Sequence, residues 1–381
     1  MSLRHAVRIA TRNFVVEPTS TFAKTLHHNL LTPSHPDTED GSVTVLSLTP
    51  NLLERFVMLP LLLRAVPKLR RWFYHSIIRL THPFYRLAIT NKLSHAIAGA
   101  DVVHSLAHGD LGWAALKIAR RHNVPFVCTP FVHPNQWGDG PTDKDFYRQC
   151  DAVIGLVNSD ADYLETLGVA RSRLRVIGVS PNLPLSADPT RFRSKYGLGG
   201  RRVVLYVGRM MAKKGAAAVV DAAKLFEKKN SDACFVFIGP ASKSEAQVFA
   251  NAPSNVMYLG KVDWQDKADA YAACDVFCMP SLSEILPTVY LEAWFFGKPV
   301  IGGLAEGLAE LVAGNDAGMN VEQDAAKIAE VLSQYLEDEG LARRQGANGR
   351  QMVEQHYSLD AVGKKLEILY NEIVATRLKL E

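Results

Sequence analysis

The chain has 381 residues, too many for one ordinary core and enough for two domains of roughly 150–200 residues. It is 48% hydrophobic and 22% charged with no low-complexity tract, which argues against wholesale disorder. The net charge of +4 is mild, and with no recognised binding module nucleic acid is not an expected partner.

Five cysteines (Cys128, Cys150, Cys234, Cys274, Cys278) form no CxxC pair, so neither a zinc cage nor a disulfide framework is suggested. No long apolar core opens the sequence, and the longest apolar run, FVMLPLLL at 56–63, is too short to span a bilayer. A reduced, cytoplasmic setting is the expectation.

In chain order, AVRIAT (6–11) reads as a first strand, residues 20–31 as a helix and SVTVLSL (42–48) as the next strand. The alternative is that AVRIAT is the second strand of a domain whose first unit is missing. Residues 51–100 then carry eight Lys/Arg and one acid, Glu54, interleaved with Leu61–Leu63, Trp72, Phe73 and Leu80. Two readings stay open: an amphipathic stretch lying on an anionic membrane surface, or a pair of helices packed on a domain with a solvated basic face.

ADVVHSL (100–106) is a strand, 112–123 a helix, VPFVCTPF (124–131) and CDAVIGLV (150–157) are strands. A helix over 159–168 follows, with Ser159 as N-cap and Gly168 as stop, and SRLRVIGV (172–179) ends this half. Three prolines and three glycines in 180–200 mark a linker. Beyond it the alternation restarts with strands at 202–208, 234–239, 256–260, 275–280 and 298–303 and helices at 215–229 and 264–274. Helices over 324–338, 340–355 and 358–381 close the chain. Near-continuous apolar strands alternating with helices predict two doubly wound parallel α/β domains in tandem, with ligands at the strands' carboxyl ends and in the cleft between.

LYVGRMMAKKG (205–215) places Arg209 and Lys214 after a strand and before a helix. Two cations there suit a diphosphate, Arg through bidentate bonds and Lys as a point charge; the plainer reading is a surface basic pair. In SLSEILPTVYLEAWFFGKPV (281–300), Pro287 fits a helix start, so the amides of Thr288 and Val289 can hold a phosphate. Thr288 and Glu292 are i and i+4 and share a face. Glu292 would then accept from two vicinal ribose hydroxyls, and Glu284 from hydroxyls beyond the phosphates. The plainer readings are a buried acid paired with Arg or Lys, and an exposed loop acid.

Together, GRMMAKKG, YLGKV, ACDVFCMPSLSE, the E-x7-E from Glu284 to Glu292 and GLAELV resemble retaining GT-B glycosyltransferases of the large GT4 family over about residues 200–315. ADVVHSLAHG, VPFVCTPFVHP and 150–178 agree more loosely. The resemblance implies a GT-B fold: an acceptor-side domain at 1–180, a linker at 181–200, a nucleotide-sugar domain at 201–357 and a helix at 358–381 crossing back to the first domain. It implies transfer of a sugar from a UDP- or GDP-sugar to a glycan or lipid-linked acceptor with retention of configuration, without a metal or other cofactor.

By the same resemblance Arg209 and Lys214 hold the diphosphate, Val262 the base edge, Glu292 the ribose and Glu284 the donor sugar. His133 aligns with a histidine facing that sugar, with His104 and His108 weaker candidates. Two departures stand out: Pro287 replaces a family glycine, and EPTSTF (17–22) stands where the family has a glycine-rich acceptor-side loop. The alternatives are a nucleotide-sugar epimerase of the same fold and a silent sugar-nucleotide-binding partner in polysaccharide assembly. The basic stretch 51–92 adds a peripheral contact with the inner face of the plasma membrane as a further expectation.

Overall fold

The computed structural model describes residues 5–11, 36–106, 108–184, 186–228 and 232–378. The helix expected over 20–31 and the EPTSTF segment lie outside the described residues. The chain divides into two compact units: Met1–Gly155, Ala161–Arg175 and Lys365–Glu381 form one, and Leu156–Asp160 with Val176–Lys364 the other.

In the first unit, β1 (Arg8–Thr11), β2 (Thr38–Asp40) and β3 (Val43–Ser47) make a small sheet in which β1 runs parallel and β2 antiparallel to β3. A second sheet follows the order β4 (Val103–Ser105), β5 (Phe126–Cys128), β6 (Ala152–Gly155), β7 (Leu174–Val176), with β4–β5 and β5–β6 parallel. β5 and β6 are buried throughout, as expected for strands covered on both faces.

The 51–100 stretch resolves into a short helix, Leu52–Val57, a 3-10 segment, Leu59–Ala65, and a long helix, Pro67–Ile97. The long helix is interrupted at Phe73, whose φ of −131° and ψ of 30° are not helical, and it contains Pro83. Ile77, Thr81, Tyr85, Ala88, Ile89, Leu93, Ala96 and Ile97 are buried. Their spacing of three and four lays one helix face on the core.

The second unit is a six-stranded sheet of β8 (Arg202–Val207), β9 (Ala233–Ile238), β10 (Val256–Gly260), β11 (Val276–Met279), β12 (Val300–Gly302) and β13 (Gly318–Asn320). Its order is β10-β9-β8-β11-β12-β13, and every pairing is parallel. From β8 the chain winds outward through β9 and β10, then returns to lay β11 on the other side of β8. The direction of winding therefore reverses between β8 and β11, and in open parallel sheets that is where ligands bind, beyond the strands' carboxyl ends.

Residues 181–200 include a helix, Pro189–Lys195, capped by Asp188. Arg191 holds it to Asp269 at 2.6 Å, on the helix Trp264–Ala273 of the same unit. The helix expected from Ser159 starts at Asn158 instead, and the acid of Glu310 caps it: Oε1 accepts from the Asn158 amide and Oε2 from the Ser159 amide, both at 3.0 Å. Ser159 is thus a capped residue rather than the cap. The last helix, Leu359–Leu378, begins in the second unit and continues in the first.

Candidate functional site

The segments after β8 and β11 carry most of the residues singled out from the sequence. After β8 the chain passes Gly208 and Arg209, makes a 3-10 turn, Ala212–Lys214, and reaches Gly215 at φ +85°. A Cβ on Gly215 would sit 2.8 Å from the Pro280 ring and 2.9 Å from the Pro280 carbonyl, so only glycine allows this approach. The turn is then tied to the loop after β11. The Leu282 amide donates to the Lys213 carbonyl at 2.8 Å, and Gln323 donates to the carbonyls of Lys213 and Pro280 at 2.9 and 2.7 Å.

This bracing brings Lys214 onto Glu284, whose Oε1 accepts from its ammonium. Glu284 is largely buried rather than an exposed loop acid. Arg209 is exposed and forms no ion pair among the described residues, while Tyr206 Oη fixes its carbonyl at 3.0 Å. Three features thus stand on the segments after β8 and β11, where the winding reverses: a cation paired with a carboxylate, and a further exposed cation.

The helix Thr288–Phe295 begins beside them. Pro287 occupies the N-cap rather than the first helical position, so the first free helical amides are those of Thr288 and Val289. Buried Tyr290, Leu291, Ala293 and Trp294 hold the helix in place; Tyr290 Oη donates to the Met279 carbonyl at 2.6 Å and Trp294 Nε1 to the Ala317 carbonyl at 2.8 Å. The amides at its tip therefore sit on an over-determined element. Val262 lies two residues past β10, at the carboxyl edge of the same sheet.

Glu292 is 5% exposed and fully engaged: Oε1 lies 2.9 Å from Lys267 Nζ, and Oε2 accepts from Tyr271 Oη at 2.8 Å. Lys267 and Tyr271 are i and i+4 on one helix and so present one face to the acid. Burial and the Glu292 charge push the Tyr271 phenol far above its ordinary range, keeping it a donor. The structure brings Glu292 together with a cation, as the plainer sequence reading has it. A carboxylate still has further lone pairs with which to accept hydroxyls.

In the first unit, His133 follows β5 within a tight turn, its amide donating to the Trp137 carbonyl at 3.1 Å and its ring 5.1 Å from that indole. Phe131, two residues earlier, is held at φ +54°, a conformation that costs a bulky residue about 1–3 kcal/mol. His108 Nδ1 lies 2.9 Å from Asp143 Oδ1. His104 has both nitrogens engaged, Nδ1 with Tyr370 Oη at 2.6 Å and Nε2 with Thr129 Oγ1 at 2.8 Å. Burial lowers its pKa to about 4, so it is a neutral clasp between β4 and the last helix.

Residues 188–352 match the family described as Glycosyl transferases group 1, and residues 25–179 match Glycosyltransferase Family 4. The chain belongs to the GT4-type glycosyltransferases. It is 27% identical over 269 residues to a GDP-mannose-dependent monoacylated alpha-(1-6)-phosphatidylinositol monomannoside mannosyltransferase of Corynebacterium glutamicum, covering 65% of this chain and 70% of that protein. A related mannosyltransferase of Mycobacterium tuberculosis is 28% identical over 288 residues, 71% of this chain and 69% of that one.

Among solved structures, sucrose-phosphate synthase of Thermosynechococcus elongatus aligns with a TM-score of 0.72 at 20% identity over 97% of this chain and 100% of its own. Anabaena HepE with UDP and glucose aligns at 0.68 and 16%, over 96% and 100%. The fold is GT-B, and the GT4 assignment makes the chain a nucleotide-sugar-dependent glycosyltransferase.

Sequence reading passed over the GT4 chain's Lys267, Tyr271 and Glu310. Lys267 and Tyr271 carried a usable signal, an i,i+4 cation and phenol on a helix preceding the E-x7-E. Glu310 sat inside the quoted GLAELV, but its role as a cap depends on a helix about 150 residues away, at Asn158–Thr166.

Proposed function

We propose that this GT4 member is a retaining glycosyltransferase that moves a sugar from a UDP- or GDP-sugar to a hydroxyl of a glycan or lipid-linked acceptor. The observation that carries this reading is the grouping of Arg209, the Lys214–Glu284 pair and the Thr288 and Val289 amides at the winding reversal of the second sheet. Arg209, Lys214 and the amides would meet the diphosphate and stabilise it as it departs, without recourse to a metal. Phosphate arriving at Lys214 would free Glu284 to accept from sugar hydroxyls. Glu292, steadied by Lys267 and Tyr271, would accept from the ribose, with Val262 at the base edge and His133 orienting the sugar.

Thermal shift with a panel of UDP- and GDP-sugars tests donor binding, since a ligand of the folded state raises stability with occupancy. Proton NMR of the product then reads the anomer. An α-linked product from an α-configured donor is expected, and a β-linked product sinks the retaining assignment. An epimerised nucleotide-sugar would favour the epimerase, and binding without transfer or hydrolysis would favour the silent partner.

We also propose a peripheral membrane contact through 51–92. The helix Leu52–Val57 buries none of its residues, and Leu52, Leu53 and Trp72 are 74%, 78% and 75% exposed. Exposed apolar side chains in a stretch with eight basic residues and one acid suit an anionic bilayer. Co-sedimentation with phosphatidylglycerol vesicles, falling with salt and weak on phosphatidylcholine, is the expected result. Equal binding to both lipids, or none, rules the contact out. No helix among the described residues is long and apolar enough to cross a membrane.

A further inference from the structure

Lys214 with Glu284 and Lys267 with Glu292 look alike as ion pairs but differ in what each acid holds in reserve. Glu292 has two donors, Lys267 and Tyr271, and keeps one when the other is drawn away. Glu284 has a single partner: among the described residues only Lys214 reaches its carboxylate, and Lys214 reaches no other acid. The two side chains are 24% and 12% exposed, Lys214 first, so little water is at hand to replace either partner. The neighbourhood is apolar, with Ile285 and Leu286 buried. Burial, and next the charge of Glu284, push the Tyr290 phenol far above its ordinary range, so that charge is felt across a poorly screened space.

The backbone keeps the two residues of the pair side by side. The Leu282 amide on the Lys213 carbonyl, Gln323 on the carbonyls of Lys213 and Pro280, and the close approach at Gly215 tie the two loops together. Only the side chains are free to choose between partners.

A diphosphate drawn to Lys214 takes away the one counterion of Glu284 and sets a second anion beside it. A largely buried carboxylate left without its partner is strongly destabilising. Sugar hydroxyls carried on that diphosphate offset the loss by donating to Glu284. A nucleoside diphosphate that has lost its sugar brings no such donors. The pair therefore acts against the spent nucleotide more than against the sugar nucleotide, which is how an unpaired charge sets specificity.

We infer that Glu284 makes the site prefer a sugar nucleotide over the spent nucleoside diphosphate, by reclaiming Lys214 whenever no sugar hydroxyls occupy its carboxylate. That the ligand is a sugar nucleotide rests on the donor reading proposed above; the exchange of Lys214 between carboxylate and phosphate rests on the pair. Once the sugar has been transferred, Glu284 loses its donors, takes Lys214 back and speeds the departure of UDP or GDP.

The test is isothermal titration of the full chain with UDP, with GDP and with the sugar nucleotide that gives the largest thermal shift in the panel above. Glu284→Gln keeps the volume and still accepts from hydroxyls, but gives up the charge that holds Lys214. Affinity for the nucleoside diphosphate is expected to rise about three- to tenfold, and the preference for the sugar nucleotide to fall about tenfold. Glu245→Gln is the control for charge alone. Glu245 lies in the field of Arg209 and accepts from the Ser242 amide, and it forms no pair with Lys214. It should change nucleotide affinity by less than about twofold. Glu284→Asp, which draws the carboxylate back by one methylene, serves if Glu284→Gln does not fold, with the same signs and changes of about two- to fivefold.

Nucleoside diphosphate affinity that stays or falls in Glu284→Gln overturns the exchange and leaves the donor site standing. A rise that Glu245→Gln matches, or that the sugar nucleotide shares in full, overturns it too, because charge alone then accounts for the effect. A wild type that binds neither nucleotide nor sugar nucleotide overturns the donor reading and the exchange together.

Discussion

The carboxyl edges of the two parallel sheets are furnished differently. Beyond β8 and β11 stand full charges that partner one another: Lys214 with Glu284, and Lys267 with Glu292. Beyond β4 and β5 stand two His–Asp pairs, His82 with Asp110 and His108 with Asp143, and among the described residues His82 Nε2 and Trp113 Nε1 are buried without a hydrogen-bond partner. An unpaired buried charge is far more costly than an unpaired buried amide or imidazole. A site for a diphosphate must therefore store its charges in pairs that a ligand can exchange.

Removing the charges from the second sheet's edge should have the largest effect. Arg209→Ala combined with Lys214→Ala is expected to lower kcat/KM by about 10⁴-fold or more, since each donor to a developing oxyanion is worth about 2.7–4 kcal/mol. Loss of the exposed Arg209 should cost the fold little, but Lys214→Ala leaves the largely buried Glu284 without its counterion, so a lower melting temperature is expected and turnover is read where the variant is still folded. Normal turnover in the double variant would remove the basis for a donor site here.

The histidines of the first unit offer a second way to test the comparison, through pH. His104 is the fully partnered counterpart of His82, and burial takes its pKa from 6.5 to about 4. The unfolded chain then takes up the proton first as pH falls. The stability tied to a neutral His104 is complete above pH 6.5 and lost between there and pH 4, a span worth about 3 kcal/mol. Urea denaturation at pH 7 and at pH 4.5 should show a steeper loss in the wild type than in His104→Gln. Equal losses would show that another group carries the acid sensitivity.

What the sequence made legible follows from how locally each feature is determined. β8, β9 and β11 are runs of apolar residues buried on both faces, so their strand character was written in a few consecutive positions. The Glu284–Glu292 spacing was legible because helix geometry alone puts Thr288 and Glu292 on one face. β2 was not, since Thr38–Asp40 is an exposed edge with no apolar alternation. Nor was the contact of His82 with Trp113: their ring centres lie 6.2 Å apart but on different helices, and their juxtaposition is a product of tertiary packing. The pairing of Lys214 with Glu284 was hidden for the same reason, because the two residues stand far apart in the chain and only the packing of the two loops joins them.

Glu292 is where the two readings of the second site divide most finely, and the smallest expected effect decides between them. As a counterion it would serve only Lys267 and Tyr271; as a ribose ligand it would use the same pair to stay ionised and oriented. Glu292→Gln keeps the volume and still accepts from Tyr271, but it gives up the charge that holds Lys267 and strengthens bonds from hydroxyls. Lys267 retains some solvent and the face of Trp264, 5.4 Å away, so the substitution should be tolerated by the fold. Nucleotide affinity should then fall about tenfold, the worth of one charge-assisted hydrogen bond. Isothermal titration with UDP and GDP beside a denaturant curve separates the cases. A large stability loss with unchanged nucleotide affinity would make Glu292 a packing residue, whereas lost affinity with a stable fold is what a ligand to the ribose requires.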